Sequence, residues 1–338
     1  MDALGERLPI KVGKAGRGTV ASKKRQYSER VNTMMISDTH FGINIDPYEV
    51  ESNQYNWTIA ARRLGKVIHD AAHFKLDHRN DCQKLVINFG GDLCQGIIHA
   101  DDAGQELMTF QMVGAARMVI QGIDYLRDFY NEIDCAITDD NHMRLLTHTK
   151  GNGRAMSQKS DSFNTMLFEM VQQAFRLDPA VKFHRPKTPY TEYKVFDRTQ
   201  FLTHGDTVLK LGWLSKKIDT GSLAAQIAAI NATRTDANRI EVVWAGHVHT
   251  GLQLALESDV DVFINPSMSG IDPFAQSIGI LGGSNERSCR AGQWLVEQTR
   301  EERIGDARIV WASKADDDAD YEKIITPFDY QLALTKTY

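Results

Sequence analysis

The sequence has little of what marks several common protein classes. Its four cysteines are scattered and form no C-x-x-C pair, which excludes a disulfide framework or a thiolate zinc knuckle. It has no apolar run of about 18 residues that would predict a membrane span. Residues 1–9 also lack the apolar core of a secretory signal. With a net charge of −5, the chain is not a strongly basic nucleic-acid coat protein. We expect a globular protein with reduced thiols.

Charge is distributed unevenly along the 338 residues. Residues 1–30 contain eight basic and three acidic side chains, so they carry +5 and the remaining chain carries −10. This segment is glycine-rich and poor in large apolar residues, which predicts a mobile basic arm. The arm is either simply solvated or a contact for nucleic-acid phosphates. Residues 31–315 alternate short apolar runs with helical stretches, which predicts one layered α/β domain. Residues 316–338 are predicted to be a C-terminal tail.

Five polar clusters share one placement, because each follows an apolar run that is typical of a buried strand. They are Asp38-Thr39-His40, Gly90-Gly91-Asp92, Asp139-Asp140-Asn141-His142, His204-Gly205-Asp206 and His247-Val248-His249. Each motif alone is most often ordinary surface polarity. In α/β sheets, however, ligands gather just past the carboxyl ends of strands. Five such clusters, each at a strand end, favour a metal site at one edge of a sheet.

The residue types in these clusters indicate which metals fit. Carboxylates, imidazoles and one amide without thiolates suit two divalent cations and not structural zinc. Two such cations about 3.5–4 Å apart clamp an in-line displacement at phosphorus and acidify the attacking water. Asp92, beside glycine-rich turns, is the expected bridging carboxylate. His142 is expected to protonate the leaving oxygen or to stabilise transition-state charge. Mn²⁺ is the first candidate, and Fe²⁺ and Zn²⁺ stay open.

As a set, D-x-H, G-D, N-H, H and G-H-x-H in this order resemble the calcineurin-like metallophosphoesterase superfamily. The resemblance runs from Asp38 to His249, about two-thirds of the chain. Residues 37–42 and 90–93 are most similar to the DNA-end nucleases of the SbcD and Mre11 type. The H-G-D motif is closer to small bacterial and phage-encoded phosphoesterases. The resemblance implies a four-layer α-β-β-α sandwich with the metals at one edge of its two sheets.

Carried over position by position, the resemblance implies seven metal ligands and one acid. The first metal would be held by Asp38, His40, Asp92 and His249. The second metal would be held by Asp92, Asn141, His204 and His247. His142 would be the acid beside the scissile phosphate.

The chain departs from the family pattern around Asn141. The family usually has G-N-H followed by Asp or Glu, whereas here Asp140 replaces the glycine and Met143 replaces the acid that normally orients the histidine. Arg144 is predicted to contact the substrate phosphate, although an ordinary surface arginine explains it equally well. Residues 151–154 (G-N-G-R) imitate the motif but lack its histidine, so Asn141 is preferred.

These observations predict a two-metal hydrolase of phosphate esters, first of all a phosphodiesterase acting on nucleic acid or nucleotides. The basic arm and the nuclease-like motifs favour DNA, while the charge of −10 on the remaining chain argues against a broad DNA-binding surface. The alternatives are a phosphomonoesterase and a non-catalytic binding protein that retains the metal site. We expect a cytoplasmic location, in a bacterial host or a phage-infected cell, with no membrane partner.

Overall fold

The computed structural model describes residues 29–50, 53–77, 82–97, 106–144, 162–185, 190–209, 218–273 and 290–329. Nearly all of the predicted basic arm, and the imitation motif at residues 151–154, lie outside these ranges. No helix in the described ranges has both the length and the apolar character that crossing a membrane requires.

The described residues form eleven strands and four α-helices. The strands are β1 (Arg30–Ile36), β2 (Lys84–Phe89), β3 (Glu132–Ile137), β4 (Val181–His184), β5 (Tyr190–Val195), β6 (Arg198–Thr203), β7 (Ile240–Ala245), β8 (Leu252–Leu256), β9 (Val260–Ile264), β10 (Gln293–Thr299) and β11 (Asp306–Val310). The helices are α1 (Trp57–Asp77), α2 (Met108–Leu126), α3 (Phe163–Phe175) and α4 (Thr220–Ala232). Short 3₁₀ turns cover Asp236–Asn238, Ala312–Ala315 and Ala319–Lys323.

The strands form two sheets. The first has the order β11-β10-β1-β2-β3-β4, in which β1 to β4 are parallel and β10 and β11 are antiparallel additions. The second has the order β5-β6-β7-β9-β8, with β6, β7 and β9 parallel. Six of the seven residues of β1 are buried, because both faces of this strand are covered, as is typical of parallel sheets.

Three apolar layers join these sheets and helices. The largest layer packs α1, α2 and α3 on the outer face of the first sheet. A second layer lies between the sheets, where Met35 and Trp294 of the first sheet meet Leu202, Trp244 and Phe263 of the second. In the third layer, α4 covers the outer face of the second sheet. The predicted four-layer α-β-β-α sandwich is therefore confirmed.

Helices α3 and α4 begin at capping side chains. The Ser162 side chain accepts a hydrogen bond from the Asn164 backbone N–H at the start of α3, and Asp219 does the same for Ser222 at the start of α4. Each satisfies a backbone donor that the first helical turn leaves open. Helix α1 buries a stripe that includes Leu64 and Val67 at helical spacing.

Residues 316–328 pack against helix α1. Asp316 forms an ion pair with the buried Arg63 of α1 (Nη2–Oδ2 2.7 Å), and Glu322 pairs with Arg62 (Nε–Oε1 2.7 Å). Ile325 is fully buried in the layer between helices and sheet. The described chain therefore continues against α1 as far as Phe328, whose ring contacts that of Trp57. The domain boundary at residue 315 stays a prediction.

The sandwich end that lies away from the carboxyl ends of the parallel strands is cross-linked by arginines. Arg198, at the start of β6, donates to the carbonyls of Thr299 (2.6 Å) at the end of β10 and of Arg300 (2.8 Å) in the turn that follows. In return, Arg303 of that turn pairs with Asp261 of β9 (Nε–Oδ2 2.9 Å). An arginine from each sheet thus binds to groups of the other sheet.

Candidate metal centre

The predicted site residues all follow strands at the carboxyl edge of the parallel strands in the two sheets. Asp38 and His40 follow β1, Asp92 follows β2, and Asn141 and His142 follow β3. The second sheet contributes His204 after β6, and His247 and His249 after β7. Because β1 to β3 and β6 and β7 end at the same edge, short loops bring residues more than 200 positions apart into contact.

The structure places six of the seven predicted ligands in two groups of candidate ligand atoms. Asp38, His40 and His249 form one group, and Asp92, His204 and His247 form the other; within each group the ligand atoms lie within 4.8 Å of one another. Asn141 lies beside the second group, with its Oδ1 2.7 Å from His204 Nε2. The bridging role of Asp92 stays a prediction, as do the individual metal assignments.

The backbone at this edge is unusual. Five of the predicted ligands have left-handed φ angles, with values of 52° at Asp38, 47° at His40, 50° at Asp92, 72° at His247 and 54° at His249. Non-glycine residues adopt this region rarely, and it costs about 1–3 kcal/mol where it is held by its surroundings. Such strain is concentrated at functional sites.

One glycine is required by the close approach of two chain segments. A Cβ at Gly91 would lie 2.7 Å from the Asp140 Cβ and 2.8 Å from His204 Nδ1, and the residue has a φ of +89°. A side chain at this position would therefore displace His204 from Asp92. This explains why glycine directly precedes the predicted bridging carboxylate.

Hydrogen bonds fix the orientation of the ligands. The His204 Nδ1–H donates to the Gly90 carbonyl (2.9 Å), so its Nε2 faces Asp92 Oδ2 (3.0 Å) and the Asn141 oxygen. The backbone N–H of His247 donates to Asp38 Oδ1 (2.9 Å). Bonds of this kind set the tautomer of a ligand histidine and hold its ring in place.

The carboxylates and histidines compensate one another electrostatically. Burial alone would raise the pKa of Asp92, but the charges of His142 and His204 hold this pKa well below its usual value. For Asp38, burial is likewise outweighed by the hydrogen bond and the charge of His249, and the pKa is lowered. Both carboxylates are therefore ionised at neutral pH, as metal binding requires.

The pKa values of the candidate ligand histidines shift in opposite directions. Burial lowers the pKa of His40 to about 4, together with the charges of His142 and His249, and burial and the charge of His204 lower that of His247 to about 4. Burial opposes protonation of His204 as well, but the charge of Asp92 and the hydrogen bond to it raise its pKa to about 10. At neutral pH, His40 and His247 present free lone pairs, whereas His204 neutralises Asp92 until a cation replaces its proton.

This donor set fits two divalent cations. The two groups contain carboxylate oxygens and imidazole nitrogens, which suit Mn²⁺, Fe²⁺ and Zn²⁺, and no thiolate. His40 Nε2 lies 3.2 Å from His249 Nε2, so two ring nitrogens of the first group converge on one position. Two candidate sites are thus present, and the identity of the metal stays open.

His142 lies at the centre of these residues. Its backbone N–H donates to Asp92 Oδ1 (3.2 Å), and its Nε2 lies 3.8 Å from Asp92 Oδ2. Its ring makes an edge contact with that of His40, with 4.7 Å between the centroids. Its Nδ1 lies 2.7 Å from the carbonyl oxygen of Gln95. The structure therefore brings the predicted acid to the second group of ligands.

Arg144 follows His142 and forms an isolated backbone bridge with Ser162. Its side chain is half-buried, and its Nε has no hydrogen-bond partner within the described residues. Contact with a substrate phosphate stays a prediction.

Sequence reasoning missed the roles of two residues. The Asp140 carboxylate accepts hydrogen bonds from the backbone N–H groups of Asp92 (2.9 Å) and Met143 (2.8 Å), so it ties two site loops together. Burial and the charge of Asp92 raise the pKa of Asp140 to about 7. Gln95 accepts from the Nδ1–H of His40 (2.8 Å). The only signal for Gln95 was its position, three residues after Asp92.

The chain matches no protein-family model and no functionally curated protein. Among solved structures, it is similar to a dimetal phosphatase from Danio rerio, with 10% identity, 83% of this chain and 99% of that chain covered, and a TM-score of 0.39. It is also similar to a 5'-nucleotidase from Candida albicans (10% identity, 90% and 56% covered, TM-score 0.37). A third is a zinc-complexed Vps29 from Entamoeba histolytica (11% identity, 82% and 97% covered, TM-score 0.31). At such TM-scores these similarities carry no weight for function.

Proposed function

We propose that the chain is a two-metal hydrolase of phosphate esters. The observation that carries the proposal is the pair of buried Asp/His groups at one edge of the sandwich, with His142 beside them. When bound, two divalent cations supply Lewis-acid activation of the phosphate and of the attacking water. A protein that only binds metal would need the ligands alone, and it would have little need for His142, a histidine that is held against the ligands without being one of them.

The chain's own residues perform three tasks in this proposal. Asp38 and Asp92 are held ionised and supply the negative charge that binds the cations. His40 and His247 offer neutral imidazole nitrogens. His142 donates through Nδ1–H to a carbonyl, so Nε2 is left as the site for a second proton; in the imidazolium form the ring would pass this proton from Nε2 to the leaving oxygen and return to the Nδ1–H form.

We further propose that the substrate is a phosphodiester of nucleic acid or a nucleotide, with DNA as the first candidate. Two sequence features support this choice: the nuclease-like motifs around Asp38 and Asp92, and the basic segment 1–30. Mn²⁺ is the cation proposed for both sites, and the cytoplasm of a bacterial or phage-infected cell is the proposed location. Arg144 is the proposed contact for the substrate phosphate.

The test compares two chromogenic substrates in the presence of Mn²⁺. We expect turnover of bis-p-nitrophenyl phosphate to exceed that of p-nitrophenyl phosphate, and to fall more than ~100-fold in Asp92→Asn, since even residues behind the ligands contribute about 10–100-fold. Asp134→Asn is the matched control, because Asp134 is a buried aspartate of β3 that pairs with Lys84 (Nζ–Oδ2 2.6 Å) away from the cluster.

Three other results would each change the proposal. Turnover of the monoester alone would identify a phosphatase. Two bound metals without any turnover would identify a binding protein. If the diesterase is confirmed, DNA cleavage should weaken steeply as salt rises from 50 to 200 mM, because phosphate contacts release counterions. A nucleotide-specific enzyme should show little salt dependence.

A further inference from the structure

His142 lacks the acid that normally follows the family's N-H motif, since Met143 stands in that position. Something else must hold its ring. In the structure, the Nδ1 of His142 lies 2.7 Å from the backbone carbonyl of Gln95, and a carbonyl can only accept. His142 therefore carries a proton on Nδ1 and directs Nε2 towards Asp92, 3.8 Å away.

The side chain of the same residue orients a second histidine. The Oε1 of Gln95 lies 2.8 Å from His40 Nδ1, and Gln95 is 2% exposed. An amide oxygen is also only an acceptor, so His40 is protonated on Nδ1 and its Nε2 lone pair faces His249 Nε2 at 3.2 Å. One residue thus sets the tautomers of a candidate ligand and of the candidate acid.

The loop that carries Gln95 is itself held firmly. The Gln95 N–H donates to the Phe41 carbonyl (3.1 Å) in the loop after β1. The buried side chain of Gln111 accepts from the Gly96 N–H (2.8 Å) and donates to the Gly96 carbonyl (3.3 Å). Gly96 has a φ of +75°, and a Cβ there would lie 1.9 Å from the His142 carbonyl oxygen. The loop cannot move away from His142 without breaking several contacts.

We propose that Gln95 is a positioning residue that orients His40 for the first metal with its side chain and His142 for proton transfer with its main-chain carbonyl. This inference rests on the proposed function for its meaning, but its geometric content does not depend on bound metal or on turnover. It also explains how the site tolerates Met143: a neutral main-chain acceptor replaces the orienting acid.

The first test reads the tautomers directly in the metal-free protein. Ring ¹⁵N-labelled histidine and long-range ¹H–¹⁵N correlation distinguish Nδ1–H from Nε2–H, with His40→Gln and His142→Gln used for assignment. We expect Nδ1–H for both residues in the wild type. Gln95→Met removes the side-chain acceptor at similar volume, so His40 should populate Nε2–H while His142 stays Nδ1–H. Gln95→Glu keeps an acceptor oxygen and should restore the wild-type state of His40.

The second test measures Mn²⁺ affinity at each site by calorimetric titration, with His249→Gln marking the step that belongs to the first site. We expect Gln95→Met to weaken that step by about 10–100-fold and the other by much less, with recovery in Gln95→Glu. Gln298→Met is the matched control, because Gln298 is a fully buried glutamine that accepts from Thr33 Oγ1 (3.2 Å) near the other end of the sheet.

The outcomes separate the two proposals. The role of Gln95 is overturned if His40 is an Nε2–H tautomer in the wild type. It is also overturned if Gln95→Met and Gln298→Met have the same His40 tautomer and the same Mn²⁺ affinity at the first site. A protein that binds no metal or shows no turnover overturns the proposed function, while the tautomers still decide the role of Gln95. If Gln95→Met does not fold, the wild-type tautomers and Gln95→Glu supply the decision.

Discussion

Charged side chains at the two ends of the sandwich are neutralised by different kinds of partner. At the end near the turn after β10, Arg198 and Arg303 join the sheets, and their partners are carbonyls and carboxylates that the chain supplies permanently. At the site end, Asp38 and Asp92 are almost completely buried, and the groups that neutralise them are histidines. A histidine can give up its proton to make room for a cation, whereas an arginine cannot.

The backbone shows the same contrast. Of the seven non-glycine residues with positive φ among the described residues, five are predicted ligands, and the other two, Phe196 and Asp259, lie in hairpin turns. No bound ligand offsets the backbone strain at a hairpin turn. Strain at the site is held by a network that a cation would complete. One end of the sandwich is therefore cross-linked by fixed charges, whereas the other holds strained residues and histidines whose protons a cation can replace.

The largest effect should come from supplying the cation. At free Mn²⁺ of 100 times the dissociation constant, each occupied site should raise the free energy of unfolding by about 2.7 kcal/mol, because the metal binds only the folded state. Urea unfolding with and without Mn²⁺ measures this gain. The gain should be reduced in Asp92→Asn. An unchanged gain in that variant would show that Mn²⁺ stabilises the protein elsewhere.

A smaller effect should follow from removing an arginine at the opposite end. Arg198→Met leaves the Thr299 and Arg300 carbonyls without their donor, so we expect a loss of about 1–2 kcal/mol in unfolding free energy. The loss should be the same with and without Mn²⁺, and Mn²⁺ affinity should not change. Weaker metal binding in Arg198→Met would mean that the two ends of the sandwich are coupled, and it would contradict the separate roles assigned to them.

The smallest effect concerns Asp134, whose carboxylate pairs with Lys84 and lies 3.5 Å from His184 Nε2. Burial alone would raise its pKa, but His184 and Lys84 outweigh burial and lower it. The pair therefore contributes stability above the unfolded pKa of about 3.9, and this contribution is lost as pH falls through the lower folded pKa. Asp134→Asn should cost about 1 kcal/mol at pH 7.

Urea unfolding of the wild type and Asp134→Asn at pH 7, 4.5 and 3 checks this dependence. The difference between the two proteins should narrow at the lowest pH, where the wild-type carboxyl begins to gain a proton. A difference that grows on acidification would contradict the lowered pKa.

Local sequence signals were enough to predict the layers and the edge at which the site lies. The mostly apolar runs at residues 84–89 and 240–245 predict strands, and they coincide with β2 and β7, because a strand covered on both faces is mostly apolar. β4 was missed because it has only four residues and alternates Val-Lys-Phe-His at a sheet edge. The sequence pattern also predicts a long helix from Gln105 to Asn131, and the observed helix α2 is shorter, from Met108 to Leu126.

The finer parts of the site were beyond local signals. The carbonyl of Gln95 orients His142 through the path of the main chain, and any residue type has a carbonyl. The packing of residues 312–328 depends on pairs such as Arg63–Asp316, which are 253 positions apart. Neither the path of a loop nor the partner of a distant charge can be derived from periodicity.

The position of β10 has a consequence for biosynthesis. β1 is a central strand, and one of its two hydrogen-bonding edges is completed only by β10, whose Glu297 bonds to Arg30 across 267 positions. At a translation rate of about 5–20 residues per second, β10 is synthesised tens of seconds after β1, and until then the backbone N–H and C=O groups on that edge of β1 lack their partner strand. Unpaired strand edges recruit other chains, so we expect the nascent protein to be prone to aggregation during this interval. Truncations that end before Gln293 should accumulate as aggregates in the cell.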